Sequence, residues 1–449
     1  MKDSLEFKRR NTWLERERGD IERVSEEYMR FIDGNRTVRR TVEYFIEEAK
    51  NFGFTEWNEN KKSGKFYVVN KGKSVGFFVM DGDLNEGFNI IVAHIDSPRI
   101  DLKPMPLIED EGFLIAKTRY YGGIKKYQWF SIPLALEGVV YTSDGRIVEL
   151  SVGFKEEDPV LVIPDLLPHL DKEDMKLSEK FKGESLNPIL GTIPAEKSDE
   201  EAKNKVKMRI LKILKEKYGI VEEDLISAEL ELVPALEVRE VGFDSSLIAA
   251  YGHDDRVCAY SAFKALIESK ERSRNSIVLL LDREEIGSEG NTGARSRFWY
   301  RILRRIVGDN LDELLEKSAV ISGDVSAGLN PLFKDVHELN NAPRLGYGVV
   351  ILRYTGRNGK FGASEARAEF VGKLRILLNE NGVIWQAGEL GKVDVGGGGT
   401  VAKFFAELGM DVVDMGPPVL SMHSPYELLS KADLHETIQA YRVFLEKFS

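Results

Sequence analysis

The chain has 449 residues, a formal net charge of −11 at pH 7, and 42% hydrophobic and 31% charged residues. That composition carries neither a disorder nor a membrane signature, and the acidic balance argues against a nucleic-acid-binding face. The single cysteine, Cys258, excludes an intramolecular disulfide framework and suits a reducing compartment.

The first ten residues carry no apolar signal core, and no run of about 18 apolar residues exists to span a bilayer. The expected location is therefore the cytoplasm. The length exceeds what one core usually sustains, so two domains are expected. Up to about residue 55 charge dominates, with Val38, Val42, Phe45 and Ile46 at helical spacing. Gly53 and the polar 58–64 stretch end the helical part. Strand-like runs at 66–69, 76–80 and 89–93 then lead into His94.

From about 101 to 236 the texture becomes β-rich, with clear alternation at 147–152 and glycine turns such as Tyr121-Gly122-Gly123. A charged stretch, 200–218, spaces Val206, Ile210, Ile213 and Leu214 as a surface helix. After about 237 a strand–helix rhythm resumes. A helix beginning near Asp255 carries Val257, Tyr260, Phe263 and Leu266; a strand at 276–281 and another before Asp324 follow. A long helix carries Phe370, Leu374, Leu377 and Leu378, and a glycine run, a helix and Val412-Val413 lead to His423. The alternation implies an α/β fold, a mostly parallel sheet flanked by helices. No internal repeat is apparent.

Five segments end an apolar run with metal-seeking side chains: His94-Ile95-Asp96, His253-Asp254-Asp255, Asp282-Arg283-Glu284-Glu285, Ser322-Gly323-Asp324 and Ser421-Met422-His423. In open α/β sheets ligands bind at the carboxyl ends of strands, so these segments are expected to meet at one sheet edge. Two histidines, two aspartates and a glutamate can hold two divalent metals, with one carboxylate spare for proton work. His94 and Asp96 share one side of an extended segment, which lets Asp96 orient a metal-bound His94. Asp254-Asp255 also reads as an ordinary helix cap. Glu284 and Glu285, as neighbours in an extended chain, point in opposite directions, so one binds metal and the other faces water. Spacing does not say which.

His253 reads as a packing or supporting residue, His435 as solvent-facing on an amphipathic C-terminal helix, and Cys258 as a core residue. Gly396-Gly397-Gly398-Gly399-Thr400 lacks the features of a phosphate loop and reads as a place of close backbone approach to substrate, with N–H groups donated from a helix start.

Taken in order, His94-Ile95-Asp96-Ser97-Pro98, Tyr121-Gly122-Gly123 with Trp129-Phe130, Asp254-Asp255, Glu284-Glu285-Ile286-Gly287-Ser288, Ser322-Gly323-Asp324 and Met422-His423-Ser424 give the chain a resemblance over nearly its whole length. It resembles the aspartyl aminopeptidase and vacuolar aminopeptidase I family of dinuclear zinc exopeptidases. The resemblance implies that Asp254 bridges two metals. His94 and Asp324 would complete one site, Glu285 and His423 the other. It makes Glu284 the general base, Asp96 the partner of His94, and the Asp254–Asp255 peptide bond cis. In the family an inserted domain pairs subunits and sends a histidine into the neighbouring active site; the loop Ile163–Leu170 resembles that element, making His169 the candidate. Family members form tetrahedral dodecamers.

There are departures. A histidine common after the ligand aspartate is replaced by Ser326-Ala327-Gly328, and the usual Cys-Gly-Ser/Thr-Thr loop by Gly397-Gly398-Gly399-Thr400. Arg357 and Lys360 both qualify as the cation linked to acidic preference.

The resulting expectation is a metalloaminopeptidase acting on peptides with a free N-terminus, with two divalent ions, zinc or else cobalt or manganese. Residues 1–100 and 237–449 would form a discontinuous catalytic domain, and 101–236 an inserted dimerisation or lid domain. A homo-oligomer without nucleic-acid or membrane partners is expected. The alternatives are broad specificity, another hydrolase such as a deacylase or carboxypeptidase, and an inactive peptide-binding scaffold.

Overall fold

The computed structural model describes residues 5–171, 175–196 and 204–449. The chain divides into two compact units: Met1–Asp96, Val238–Met422 and Tyr426–Ser449 form the first, Ser97–Glu237 and His423–Pro425 the second.

The first unit is α/β. Its nine-stranded sheet runs, in spatial order, Thr55–Glu56, Gly64–Asn70, Ser74–Met80, Asn275–Leu281, Phe88–His94, Ala319–Ser322, Asp411–Gly416, Val349–Leu352 and Trp385–Gly388. Every residue of Phe88–His94 and of Asn275–Leu281 is buried. Their side chains alternate between two cores: Phe88, Ile90 and Val92 pack with Trp299 and Phe405, while Ile91 and Ala93 pack with Phe45, Phe263 and Tyr441. Burial on both faces is why these strands read as continuous apolar runs. The helices Val38–Asn51, His253–Glu268, Ala368–Glu380 and Lys431–Lys447 cover one face; Phe298–Val307 and Ala402–Ala406 cover the other.

The four strands Asn275–Leu281, Phe88–His94, Ala319–Ser322 and Asp411–Gly416 run parallel, but the sheet as a whole is mixed. Gly64–Asn70 and Ser74–Met80 pair antiparallel because they are joined by a turn in which Lys71 and Gly72 have φ of 55° and 68°. So short a link cannot make the crossover that parallel strands require. Asp411–Gly416 also meets Val349–Leu352 antiparallel. A separate five-stranded sheet in the same unit orders Arg239–Val241, Leu247–Ala250, Glu427–Ser430, Pro418–Leu420 and Ser326–Ala327.

His435 corrects the expectation of a solvent-facing side chain. It is 8% exposed, with Nδ1 3.0 Å from Glu436 Oε1. Lys431–Lys447 buries Leu434, Ile438, Tyr441 and Phe444 in the core, while Arg16 from the N-terminal segment covers its polar side through a 2.6 Å ion pair to Glu436.

The second unit is a six-stranded antiparallel sheet in the order Ile147–Val152, Leu134–Tyr141, Glu229–Pro234, Arg99–Asp110, Phe113–Tyr121 and Ile189–Gly191. The helix expected over 200–218 spans Lys205–Tyr218, and 200–203 lie outside the described residues. Val206, Ile210 and Leu214 seat it against Leu107, Leu114 and Leu150. Ile213 points outward, 42% exposed.

Candidate metal centre

Strand register puts the first chemistry in place. Leu281 is paired with His94 and Ser322 with Val92, so Glu284 emerges just beyond His94 and Asp324, two residues past Ser322, comes level with it. Gly323 N–H donates to the Val92 carbonyl at 2.7 Å, holding that turn against the strand carrying His94. Asp254 arrives differently. It follows Leu247–Ala250 of the five-stranded sheet, as His423 follows Pro418–Leu420. The expectation of a single sheet edge is thus corrected: two sheets supply the segments.

His94, Asp254 and Asp324 each offer a donor atom within 4.8 Å of the others, as do His94, Glu284 and Glu285. Asp254 and Glu285 approach within the same limit. His94 Nε2 lies 3.2 Å from Asp254 Oδ1. His94 and Asp254 are buried, whereas Asp324, Glu284 and Glu285 are partly accessible. A buried imidazole with carboxylates on an accessible side is a set that metal and substrate can reach.

Around the donors the chain is closely braced. Asp254–Asp255 is a cis peptide at a non-helical start of His253–Glu268. Asp254 N–H donates to buried Glu427 at 3.0 Å. His253 Nδ1 meets the Tyr28 hydroxyl at 2.7 Å and Nε2 the Ile248 carbonyl at 3.1 Å. The carbonyl can only accept, so Nε2 carries the proton and Tyr28 donates to Nδ1. Burial correspondingly lowers the His253 pKa to about 3. His253 is a neutral support, as its sequence setting suggested. Asp255 accepts the His94 N–H at 3.4 Å. Glu427 and Asp255 were not anticipated as parts of this bracing; the signal for Glu427 is a carboxylate opening the short strand Glu427–Ser430.

Asp96 does more than face His94. Its backbone carbonyl accepts from His94 Nδ1 at 2.9 Å, with its carboxylate 3.4 Å from that nitrogen. The two carboxylate oxygens accept the N–H groups of Glu284 and Glu285 at 3.1 and 3.2 Å. These glutamates lie on a 3-10 turn, Glu284–Ile286, rather than in an extended segment. The alternation argument for them therefore fails, and a turn pinned by Asp96 replaces it.

In the second unit, His423 places Nδ1 2.9 Å from the Gly123 carbonyl. As in His94, a backbone oxygen fixes the proton on Nδ1 and directs the lone pair to Nε2, the arrangement common to metal-bound histidines. His169 is exposed on the turn Pro168–Leu170 of the second unit.

The electrostatics favour a cation. Burial pushes the Asp324 carboxyl well above the carboxylate range, and the charges of Asp255, Asp254 and Glu284 add to it against His94. Burial raises Asp255 likewise, opposed by His94 and helped by Asp254. For His94, burial opposes the charged form, but hydrogen bonds to Asp254 and Asp96 and the charge of Asp255 outweigh it and hold its pKa well above the usual value. Acids that raise one another in this way lack positive charge, which a divalent ion supplies. Imidazole nitrogens and carboxylate oxygens are also ordinary zinc ligands. The residues fit a divalent metal.

The glycine run has a local cause. A Cβ at Gly396, Gly397 or Gly399 would come within 2.5 Å of Leu390 O, 2.5 Å of Gly356 O and 3.1 Å of Gly362 O. Close packing on Leu390 at Gly396, and on the hairpin Tyr354–Arg357/Phe361–Glu365 at Gly397 and Gly399, favours glycine here independently of substrate.

Residues 31–445 match the family described as aminopeptidase I zinc metalloprotease (M18). A probable M18 family aminopeptidase 1 of Thermotoga maritima is 53% identical over 454 residues, covering 99% of this chain and 100% of that one. The crystal structure of an M18-family aminopeptidase from the same organism is similar with a TM-score of 0.95 at 53% identity, over 99% and 100% of the two chains. Aminopeptidase I from Clostridium acetobutylicum follows at 0.93 and 41%, over 98% and 100%. At 21% identity, the mApe1 dodecamer of S. cerevisiae shares the fold, with a TM-score of 0.76 over 94% of this chain and 96% of that one.

Proposed function

The chain belongs to the aminopeptidase I zinc metalloprotease (M18) family and is a metal-dependent aminopeptidase, and we propose that it works with two zinc ions, which Asp254 would hold in common. His94 and Asp324 would supply the other ligands of one ion, Glu285 and His423 those of the second. The observation that carries it is the convergence of His94, Asp254 and Asp324 donors within 4.8 Å, beside the turn bearing Glu284 and Glu285. His423 enters on its own tautomer-fixing contact and on its place immediately after Met422, which packs against the core of the first unit.

When bound, such ions lower the pKa of water and polarise a carbonyl. Glu284 takes the proton from the water whose oxygen attacks the scissile carbonyl carbon. As the carbon–nitrogen bond breaks, Glu284 returns that proton to the leaving amine. Asp96 keeps Glu284 in place by accepting its backbone N–H, and it holds His94 in the tautomer that presents Nε2. The exposed His169 would act on a neighbouring subunit, steadying the oxyanion there. The assembly we infer is a homo-oligomer, and the S. cerevisiae dodecamer of the same fold makes a dodecamer the first arrangement to test.

The substrates in this reading are peptides with free N-termini in the cytoplasm. Arg357 and Lys360, on the hairpin that packs against the glycine run, are the cations available for preferring an acidic first residue. A panel of acidic, basic and apolar aminoacyl fluorogenic substrates tests the whole proposal with metal-loaded, EDTA-treated and Glu284→Gln protein. Release should require metal and fall by about 10²–10⁴-fold in the variant. Full turnover by Glu284→Gln, or cleavage of N-acetylated peptides, would sink it. The ranking of substrates decides between acidic and broad preference.

A further inference from the structure

A turn in the first unit holds an aromatic ring in water beside an open cavity. The strands Arg239–Val241 and Leu247–Ala250 pair antiparallel, and residues 242–246 join them. Gly242 and Ser245 take φ of 92° and 55°. Ser245 N–H donates to the Gly242 carbonyl at 3.1 Å, and Ser246 N–H to Asp244 Oδ1 at 3.2 Å. Arg18 braces the turn from outside, donating to the Asp244 carbonyl at 3.0 Å, and buried Lys431 pairs with Glu240 on the strand that leads into it. The side chain presented by this fixed turn is Phe243. It is fully exposed, whereas the next most open aromatic among the described residues, Phe7, is 64% exposed. A turn so held cannot fold the ring back, and its apolar surface stays in water until another molecule covers it.

The cavity has a volume of about 550 Å³, and its walls include Trp13, Leu14, Leu247 and Leu345, with Arg18 and Asp244 as the charged members. These walls are fixed as well. Thr12 N–H donates to the Gly346 carbonyl at 2.8 Å, and Gly346 N–H to buried Asp433 at 2.7 Å. Leu14 is 86% exposed. Cavities of about 300–1,000 Å³ take in drug-sized molecules, so this one has room for an aromatic side chain. Phe243 directly precedes Asp244 of the cavity wall, with Cα atoms about 3.8 Å apart, so ring and hole are neighbours on one face. The full exposure of Phe243 shows that it does not fill the cavity of its own chain.

A face that carries a ring beside a hole of fitting size, and a cation beside an anion, is complementary to itself. A small ligand would fill the cavity and leave Phe243 in water. A second copy of the chain accounts for both, because the turn that inserts its ring also brings an Asp244 carboxylate toward an Arg18. We propose that this face is a contact between copies, in which Phe243 of one copy enters the cavity of another between Trp13, Leu14 and Leu345. The proposal rests on the homo-oligomer inferred above, and it gives that assembly a contact made by the first unit alone.

The test uses the full-length, metal-loaded enzyme with the photo-crosslinking residue p-benzoylphenylalanine in place of Phe243. Irradiation should give a covalent dimer on a denaturing gel, joined at the peptide carrying Trp13 and Leu14 or at the one carrying Leu345. In sedimentation velocity, Phe243→Ser should associate about tenfold more weakly, as expected when an anchor leaves its pocket. Leu14→Ser should act in the same direction. The double variant should fall well short of the product of the two effects, because both side chains serve one contact. Each is largely in solvent, so neither change removes packing within the subunit. A covalent dimer joined at any other segment overturns the proposal. So does the absence of one in protein that sediments as an oligomer, or unchanged association in Phe243→Ser. A parent protein that sediments as a monomer at every concentration means something else: the homo-oligomer reading itself fails, and this contact with it.

Discussion

Two strands, one from each unit, show how differently the two parts of the molecule are built. Phe88–His94 is buried at all seven positions, and its side chains feed two cores. Ile147–Val152 is buried only at Leu150 and lies at the edge of its sheet. In the same unit Met105 is 72% exposed, Ile147 68%, Ile193 65% and Tyr141 54%. The central strands of the first unit turn their apolar residues inward on both faces, and so can hold several carboxylates in fixed positions at their ends. The large apolar side chains this unit exposes most, such as Phe243 and Leu332, lie outside those strands. The second unit leaves large apolar side chains outside on its strands, which is costly in water unless something covers them. Rigidity for chemistry lies in the sheet of one unit, and open apolar strand surface in that of the other.

The largest effect that could break this contrast is loss of core in the first unit. Leu279 is fully buried in the middle of Asn275–Leu281. Leu279→Ala should cost about 2–5 kcal/mol, transfer and cavity together, measured as a fall in the urea midpoint at constant metal content. A cost under about 1 kcal/mol would mean that the two-faced packing is not what makes the platform rigid.

A buried acid beneath the same platform sharpens the contrast through pH. Burial, opposed by the Ser322 and Thr400 hydroxyls, pushes Asp414 from 3.8 to about 6. Its folded-state pKa lies above its unfolded one, so the folded state holds the proton more tightly. Stability is therefore lost as pH rises from about 4 to 6, and the full cost, of order 3 kcal/mol, is reached above 6. Asp414→Asn removes that cost. The variant should melt higher than the parent at pH 8 and draw level near pH 4. A melting difference independent of pH would show that Asp414 is not held protonated by its surroundings.

Next in size is Asp96, fully buried, whose carboxylate accepts the N–H groups of both Glu284 and Glu285. Asparagine has the same shape but only one accepting oxygen. Asp96→Asn should lower kcat about 10–100-fold, or roughly 1.4–2.7 kcal/mol, with the melting temperature nearly kept. Loss of less than twofold would remove Asp96 from the positioning of the turn.

What could be read from the sequence follows the same division. His94 and Asp324 were legible because each ends or follows a strand buried on both faces, and a polar residue there breaks an unmistakable apolar run. The second, five-stranded sheet that delivers Asp254 and leads into His423 was not legible, because Leu247–Ala250 and Pro418–Leu420 are too short to show a pattern. The turn at Glu284 was hidden for another reason: it is imposed by Asp96, almost 190 residues away. His435 was misread because the residue that covers its helix, Arg16, lies at the far end of the chain. Local periodicity shows which way a side chain points within its element; it does not show what a distant segment lays over it.

The smallest effect on folding tests the other half of the contrast. Ile147 stands directly opposite Tyr141 across the outermost strand pair of the second unit, and both are more than half exposed. Their mutual contact is worth about 0.2–1 kcal/mol at most, and little core depends on it. Ile147→Ser should therefore shift the unfolding free energy of the isolated subunit by only about 0.5 kcal/mol. An apolar pair on an open strand edge is also a place where another chain can add, and natural proteins rarely leave one uncovered. The same variant should weaken subunit association, seen in sedimentation velocity as a concentration-dependent shift to smaller species. If association and unfolding both stay unchanged, this edge is not an assembly surface, and the exposed side chains of the second unit must be sought against a partner elsewhere on its surface. If unfolding alone responds, by 2 kcal/mol or more, Ile147 belongs to a core of its own and the contrast between the two units is lost.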